Sequence, residues 1–197
     1  VEFVRGSGVQ SRRVYVYDGV KIDWQRYNGW DPTSLRIQKE IGTECNPKVW
    51  VVREIWNRAD NGLGIPLPAG RVRFYRQGDD RQLEFIGENE IDHTPKDELL
   101  RIYTGNAFDL VGERKRTNFS TDRDNDWLDE TFAIEVRNHD DAAVTVQVVE
   151  HLYRWWNWEI RDASDEYAKR DAQSIVFEVE VPANGARKVT YTVHYSW

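Results

Sequence analysis

The chain lacks methionine altogether and has one cysteine, Cys45, in 197 residues. A single cysteine excludes an intrachain disulfide, and its expected role is that of a small half-buried residue rather than a nucleophile. Long apolar runs are missing too. No stretch reaches the ~20 residues of a transmembrane helix, and no secretory leader is visible, so insertion in a membrane is not expected. There is no basic excess: 27 Lys and Arg face 34 Asp and Glu, for a formal net charge of -7. General attraction to nucleic acid or to an anionic membrane is therefore disfavoured. A chain that opens on Val1 and contains no methionine reads as an excised or processed portion of a longer product.

Motifs that announce chemistry are equally scarce. His93, His139, His151 and His194 form no HExxH pair, and none pairs with Cys45. No G-x-G-x-x-G follows a strand, and there is no Walker loop and no G-x-S-x-G elbow. No catalytic residue and no cofactor is expected. His93, ahead of Thr94-Pro95, is expected to make a turn contact. The acidic run Asp122, Asp124, Asp126, Asp129, Glu130 has the odd spacing of a calcium loop. Trp127 stands where that loop needs Gly, and the closing bidentate Glu is missing. Asp122, Asp124 and Asp126 are weak calcium candidates in what reads as a solvated loop.

What the chain has in abundance is strand. Hydrophobic residues make up 40% and charged residues 31%, a balance that argues against disorder. The stretch 57–75 organises the reading. Asp60-Asn61-Gly62 is a turn signal, and Pro66 and Pro68 each remove a backbone donor. A strand enters this turn at 49–56, apolar on both faces and so central, and another leaves it at 71–76. Further strands are expected at 14–17, 20–24, 35–41, 82–86 and 99–103, and over 108–119 as one long strand or a strand pair. In that last segment Arg114-Lys115-Arg116 reads as a solvated face.

Beyond the acidic loop at 121–130, Phe132, Ile134 and Val136 alternate cleanly with Ala133, Glu135 and Arg137. Strands over 144–148, 175–181 and 189–197 follow. Residues 162–171 show no strand pattern and have room for one helical turn. Turn signals recur every ~8–12 residues, and no segment has helical periodicity. The expected fold is all-β, an antiparallel β-sandwich of two packed sandwich-like halves, 1–120 and 121–197. VREIWNRADN and IEVRNHDD, which both run strand, Asn, Asp-rich turn, are a faint internal echo of two related halves.

Three separated stretches, LGIPLPAGRVRFYR, IGENEIDHTP and HLYRWWNWEI, carry a resemblance. From residue 47 to the C-terminus the chain resembles the bacterial domain-of-unknown-function 4139 family, the C-terminal domain of mucoidy-inhibitor-like proteins. The resemblance implies a β-rich fold and an extracytoplasmic location, in the periplasm or at the cell surface. It offers no established catalytic residues to carry over.

Nine Trp and nine Tyr exceed what a sandwich of this size encloses. If the strand at 144–148 continues, Trp156 and Trp158 share its core face, while Tyr153 and Trp155 lie opposite. Arg154 between them is placed to stack on an indole. Tyr15, Tyr17, Trp24, Trp30 and Trp155 are the expected exposed aromatics. Trp24, Tyr27, Trp30 and Trp155 are candidate binding residues, either packing or forming a flat aromatic platform. The functional expectation is a non-catalytic binding or assembly module of a larger cell-envelope protein. Its partner would be the missing upstream part of that protein, another protein, or a second copy in a homodimer. The alternative is a carbohydrate-binding or carbohydrate-active domain that uses exposed Trp and carboxylates. A cleft with paired carboxylates beside Trp would favour the alternative. A closed core with an exposed sheet face or edge would favour the first reading.

Overall fold

The computed structural model describes residues 7–78, 80–122, 124 and 126–197, with the side chains of Pro32 and Leu35 outside that description. In chain order the elements are β1 Arg12–Asp18, a 3-10 turn Trp24–Tyr27, α1 Pro32–Ile37, β2 Lys48–Trp56, a 3-10 turn Ala59–Asn61, β3 Gly70–Gln77, β4 Leu83–Ile91, β5 Leu99–Asp122, β6 Trp127–Asn138, β7 Val144–His151, β8 Trp158–Ala163, β9 Tyr167–Asp171, β10 Ser174–Val181 and β11 Gly185–Ser196. The fold is an all-β sandwich. A large mixed sheet has the order β8-β11-β6-β5-β2-β1-β7-β10-β9, and β3 and β4 form a small antiparallel sheet. Among the described residues, no helix is long and apolar enough to cross a membrane.

The chain forms two compact units. The first is Val1–Tyr15 with Trp50–Ala107, and the second is Val16–Val49 with Phe108–Trp197. Strands β1, β2 and β5 each contribute residues to both. These units differ from a division at 120/121. The acidic loop there is the turn of the β5–β6 hairpin, in which Asp122 pairs with Trp127 and Leu110 with Asn138.

In the second unit, β6 alternates along its whole length: Leu128, Phe132, Ile134 and Val136 point inward, and Asp129, Ala133, Glu135 and Arg137 do not. Its partner β11 places Tyr191 opposite Phe132 and Val189 opposite Ile134. The rings of Phe132 and Tyr191 stack at 5.5 Å. Strand β10, near the far end of the same sheet, pairs Phe177 with Val148 of β7, and the Phe177 ring lies 5.8 Å from that of Tyr191. Each such buried side chain is worth ~1.5–3 kcal/mol relative to exposure. Tyr17 fills the space over Gly112, where a Cβ would meet its ring at 2.0 Å, so β5 must carry glycine there.

The first unit closes through its turn at 57–68. Gly62 takes the left-handed conformation at φ 74°, as the Asn-Gly signal requires. Leu67 and Thr94 exchange backbone hydrogen bonds, 2.9 Å each. Asn57, fully buried, donates its amide to the carbonyls of Ile65 (2.7 Å) and Pro95 (2.8 Å) and accepts from the Gly64 N–H (3.0 Å). Asn138 repeats the device in the second unit. It donates to Ala142 (2.8 Å) and Pro182 (3.1 Å) and accepts from the Asp140 N–H (2.9 Å). The sequence echo therefore marks two strand-end asparagines, each holding the loop that follows it and a proline carbonyl.

Four expectations fail, each for a local reason. Residues 20–24 form only a bridge from Val20 to Cys45 before the 3-10 turn. In place of a strand at 35–41 there is α1: Asp31 accepts from the Ser34 N–H at 2.9 Å and Pro32 occupies the first helical position, an N-cap and N1 pair. Residues 162–163 end β8 and 167–171 form β9, with a short turn between them. These strands end the sheet order beside β11 and β10. β9 is exposed throughout and shows no alternation, and β8 alternates only over 158–161, ahead of the register shift in its pairing with β11. The core assignment of Trp156 and Trp158 fails because β7 stops at His151 and the chain is irregular until β8, so parity does not carry over. Trp156 is 69% exposed. Trp158 is half-buried, its indole N–H donating to the Ala172 carbonyl at 2.9 Å. Trp156→Ala is accordingly expected to change stability by less than ~0.5 kcal/mol. A loss of ~3 kcal/mol or more in a denaturant melt would return Trp156 to the core.

Candidate functional site

The interior of the second unit is charged. Glu130 on β6 and Glu150 on β7 are both fully buried. Each lies on the inward face of its strand, beside Phe132 and Val148. Glu150 accepts two hydrogen bonds from Arg114 Nε, 2.8 and 3.1 Å, and one from the Tyr191 hydroxyl, 2.6 Å. Glu130 is gripped bidentately by Arg154, 2.7 and 3.2 Å, and also accepts from Arg116 at 2.9 Å. The three guanidiniums exceed the two carboxylates by one charge. Backbone carbonyls absorb the excess. Arg114 donates to Gly42 (2.7 Å), Arg154 to Gln38 (2.6 Å) and Ile41 (3.0 Å), and Arg116 to Lys39. Segment 38–42 lies outside the strands, so at buried Ile41 and Gly42 these arginines satisfy carbonyls that would otherwise be unpaired.

The electrostatics follow from burial. Burial alone lowers the Arg114 and Arg154 pKa values, yet the facing carboxylates hold both above the ordinary range. Burial first and the nearby carboxylates second raise the Tyr191 and Tyr195 pKa values far above the ordinary range, and push Tyr153 up to about 12. The Tyr191 hydroxyl thus keeps its proton and donates it to Glu150. The stretch Arg114-Lys115-Arg116 is not a solvated face: Arg114 is 3% exposed, Arg116 is half-buried, and only Lys115 is exposed. Parity with Leu110 and Gly112 carried this signal. Arg154 lies over the Tyr153 and Phe119 rings, 5.3 and 5.5 Å from their centroids. It is buried against Glu130, and the guanidinium of Arg36 lies over the Trp155 indole.

The candidate binding residues fall into two groups. Trp24 (53%) and Trp30 (46%) are exposed on and just after the 3-10 turn, whereas Tyr27 is buried and meets the Trp30 edge at 5.6 Å. Trp155 belongs to another cluster. It is half-buried, stacks on Trp156 at 3.5 Å, and has the Arg36 guanidinium 4.1 Å from its ring centroid. The same guanidinium lies 5.0 Å from Trp197. These side chains, with Asp126, Asn157 and Ser196, line an open cavity of about 600 Å³. Tyr17 and Tyr15 do not join an exposed patch: Tyr17 is fully buried and Tyr15 half-buried.

Of the calcium candidates, Asp122 accepts from the Asp124 N–H at 3.0 Å, a local turn contact. Asp126 takes positive φ, 54°. Arg123 and Asn125, between them, lie outside the described residues, as does Asp79 in the β3–β4 turn. Among the described residues, no three His, Cys, Asp or Glu side chains gather as a metal site. His93 makes its turn contact, accepting from the Ala69 N–H at 3.2 Å. Two other histidines pair with aspartates: His194 with Asp129 at 2.6 Å and His151 with Asp18 at 2.9 Å. The Asp18 hydrogen bond raises the His151 pKa against its partial burial. A raised histidine stabilises the fold fully below the unfolded value of ~6.5 and loses that contribution as pH rises through the folded value. The stability gap between wild type and His151→Gln is therefore expected to be wider near pH 5.5 than near pH 8.5 in urea melts. Equal gaps would contradict the pairing.

The first unit carries a surface that the sequence reading passed over. In the β3–β4 hairpin Tyr75 pairs with Phe85 and Gln77 with Leu83, on one face. At the hairpin's root that face is ion-paired: Arg73–Glu88 at 2.9 Å and Arg71–Glu88 at 3.4 Å. At its tip it is apolar. Leu83 is 68% exposed, Phe85 56% and Tyr75 49%, and the neighbouring Ile86, at the bulge between the two patterns, is 48% exposed. Tyr75 and Phe85 meet edge to face at 5.7 Å. Alternation of Leu83, Phe85 and Tyr75 with Glu84 and Arg76 was the available signal, but it does not say which face is covered.

Compared with family models, curated proteins and solved structures, the chain shows no match to any of the three.

Proposed function

We propose that this chain is a non-catalytic binding or assembly module of a larger bacterial cell-envelope protein, acting outside the cytoplasm. The observation that carries the reading is the apolar tip of the β3–β4 hairpin, where four large side chains stand exposed on a two-stranded ribbon. Contiguous exposed apolar side chains of this kind are typical of interfaces. The closed interior of the second unit supports the same reading, because Glu130 and Glu150 spend their charge on arginines and carbonyls inside the fold. The resemblance of residues 47–197 to a domain of mucoidy-inhibitor-like proteins supports the location. The partner is another part of the same gene product or another protein, and a second copy of the chain is the remaining case.

The Leu83→Glu, Phe85→Glu double variant tests it. Both side chains are exposed, so the variant is expected to melt like wild type. In size-exclusion chromatography of native cell extract, wild type is expected to run in an assembly larger than its own mass, and the variant at its own mass. Identical elution of the two would overturn the reading.

A further inference from the structure

We propose that the Trp156 ledge of the second unit is a binding site for a neutral saccharide. Trp156 is 69% exposed, and its own stacking on Trp155, at 3.5 Å, fixes the ledge without covering it. The cavity beside it, about 600 Å³, lies within the usual size of small-molecule sites and remains open to solvent. A pyranose has one face of C–H bonds and a rim of hydroxyls. The indole face suits the first, because aromatic rings bury apolar surface while presenting a negative π-face to C–H groups. The cavity's polar groups suit the second: Asp126 offers acceptors only, and Asn157 and Ser196 offer donors and acceptors. Asn157 and Ser196 are already ordered by their mutual hydrogen bond, 2.7 Å, so little freedom is lost when they bind.

Charge decides against other ligands. Asp126 and Arg36 oppose one another in the lining, which leaves no net charge to select a polyanion. A cationic ligand would seek the Trp155 and Trp197 rings, and the Arg36 guanidinium already sits at 4.1 and 5.0 Å from them. A neutral, flat, hydroxylated ligand fits what remains. This site is independent of the hairpin tip, which belongs to the first unit.

The test titrates the purified chain with cellohexaose, chitohexaose, maltohexaose and laminarihexaose, with oligogalacturonate as the charged control, followed by Trp emission and calorimetry. At least one neutral hexasaccharide is expected to bind saturably and more tightly than oligogalacturonate. Trp156→Ala is expected to weaken that binding by at least about tenfold while keeping the wild-type circular dichroism and melting temperature. Asp126→Gly, at an exposed position whose positive φ glycine keeps, is expected to weaken it as well and serves should Trp156→Ala not fold. The proposal is overturned if no neutral hexasaccharide binds, if oligogalacturonate binds tightest, or if the folded variants bind like wild type.

Discussion

Glu150→Ala is expected to destabilise the chain by ~3–5 kcal/mol. The carboxylate is fully buried and compensates Arg114, whose side chain is also enclosed. Removing it leaves a guanidinium inside the sandwich facing neutral groups, the Gly42 carbonyl and the Phe132 ring among them, and leaves the Tyr191 hydroxyl without its acceptor. The cost is that of an uncompensated buried charge, which exceeds the worth of the intact pair. The double variant Arg114→Met, Glu150→Leu removes both charges and is therefore expected to be more stable than Glu150→Ala alone. Urea midpoints of the three proteins check both statements. A loss below ~1 kcal/mol for Glu150→Ala would mean that water reaches Arg114.

Glu130→Ala is expected to cost as much, with a different local result. Glu130 pairs with both Arg154 and Arg116, and those two arginines donate to the carbonyls of residues 38–41. Two cations then share one enclosed space without an anion, and moving either to solvent releases the segment. Loss of ~3–5 kcal/mol should therefore be accompanied by new proteolytic cleavage around residues 36–43. Glu150→Ala tests the contrast, because Arg114 reaches only Gly42 in that segment. Equal cleavage in both variants would show that global unfolding, and not release of the segment, exposes it.

Strands with one buried face were legible before any coordinates. Residues 127–138 and 185–196 alternate because one side meets core and the other does not. The edge strand β9 was invisible for the converse reason: it is exposed on both faces, so nothing forces a pattern. Helix α1 announced itself in Asp31-Pro32, a capping signal that a loose apolar alternation outweighed. The inward charges were legible too. Arg114, Glu130 and Glu150 obey the parity of their neighbours, but a charged residue at a core position is easily assigned to the wrong face. Trp156 could not be placed by parity, because the strand that defines parity ends five residues earlier at His151. Which face of the β3–β4 hairpin would lie open depends on contacts far apart in sequence, and no local pattern reports them.

Position 85 supplies the most direct measurement of the functional account. A photo-cross-linking amino acid in place of Phe85, incorporated into the full-length gene product in its own cells, should form a discrete covalent adduct with a protein chain identifiable by mass spectrometry. The same amino acid in place of Arg170, exposed on β9, should form none. An adduct at position 85 alone is the predicted result. No adduct at 85, or equal adducts at 85 and 170, would contradict the assignment of the hairpin tip as the surface through which this module binds.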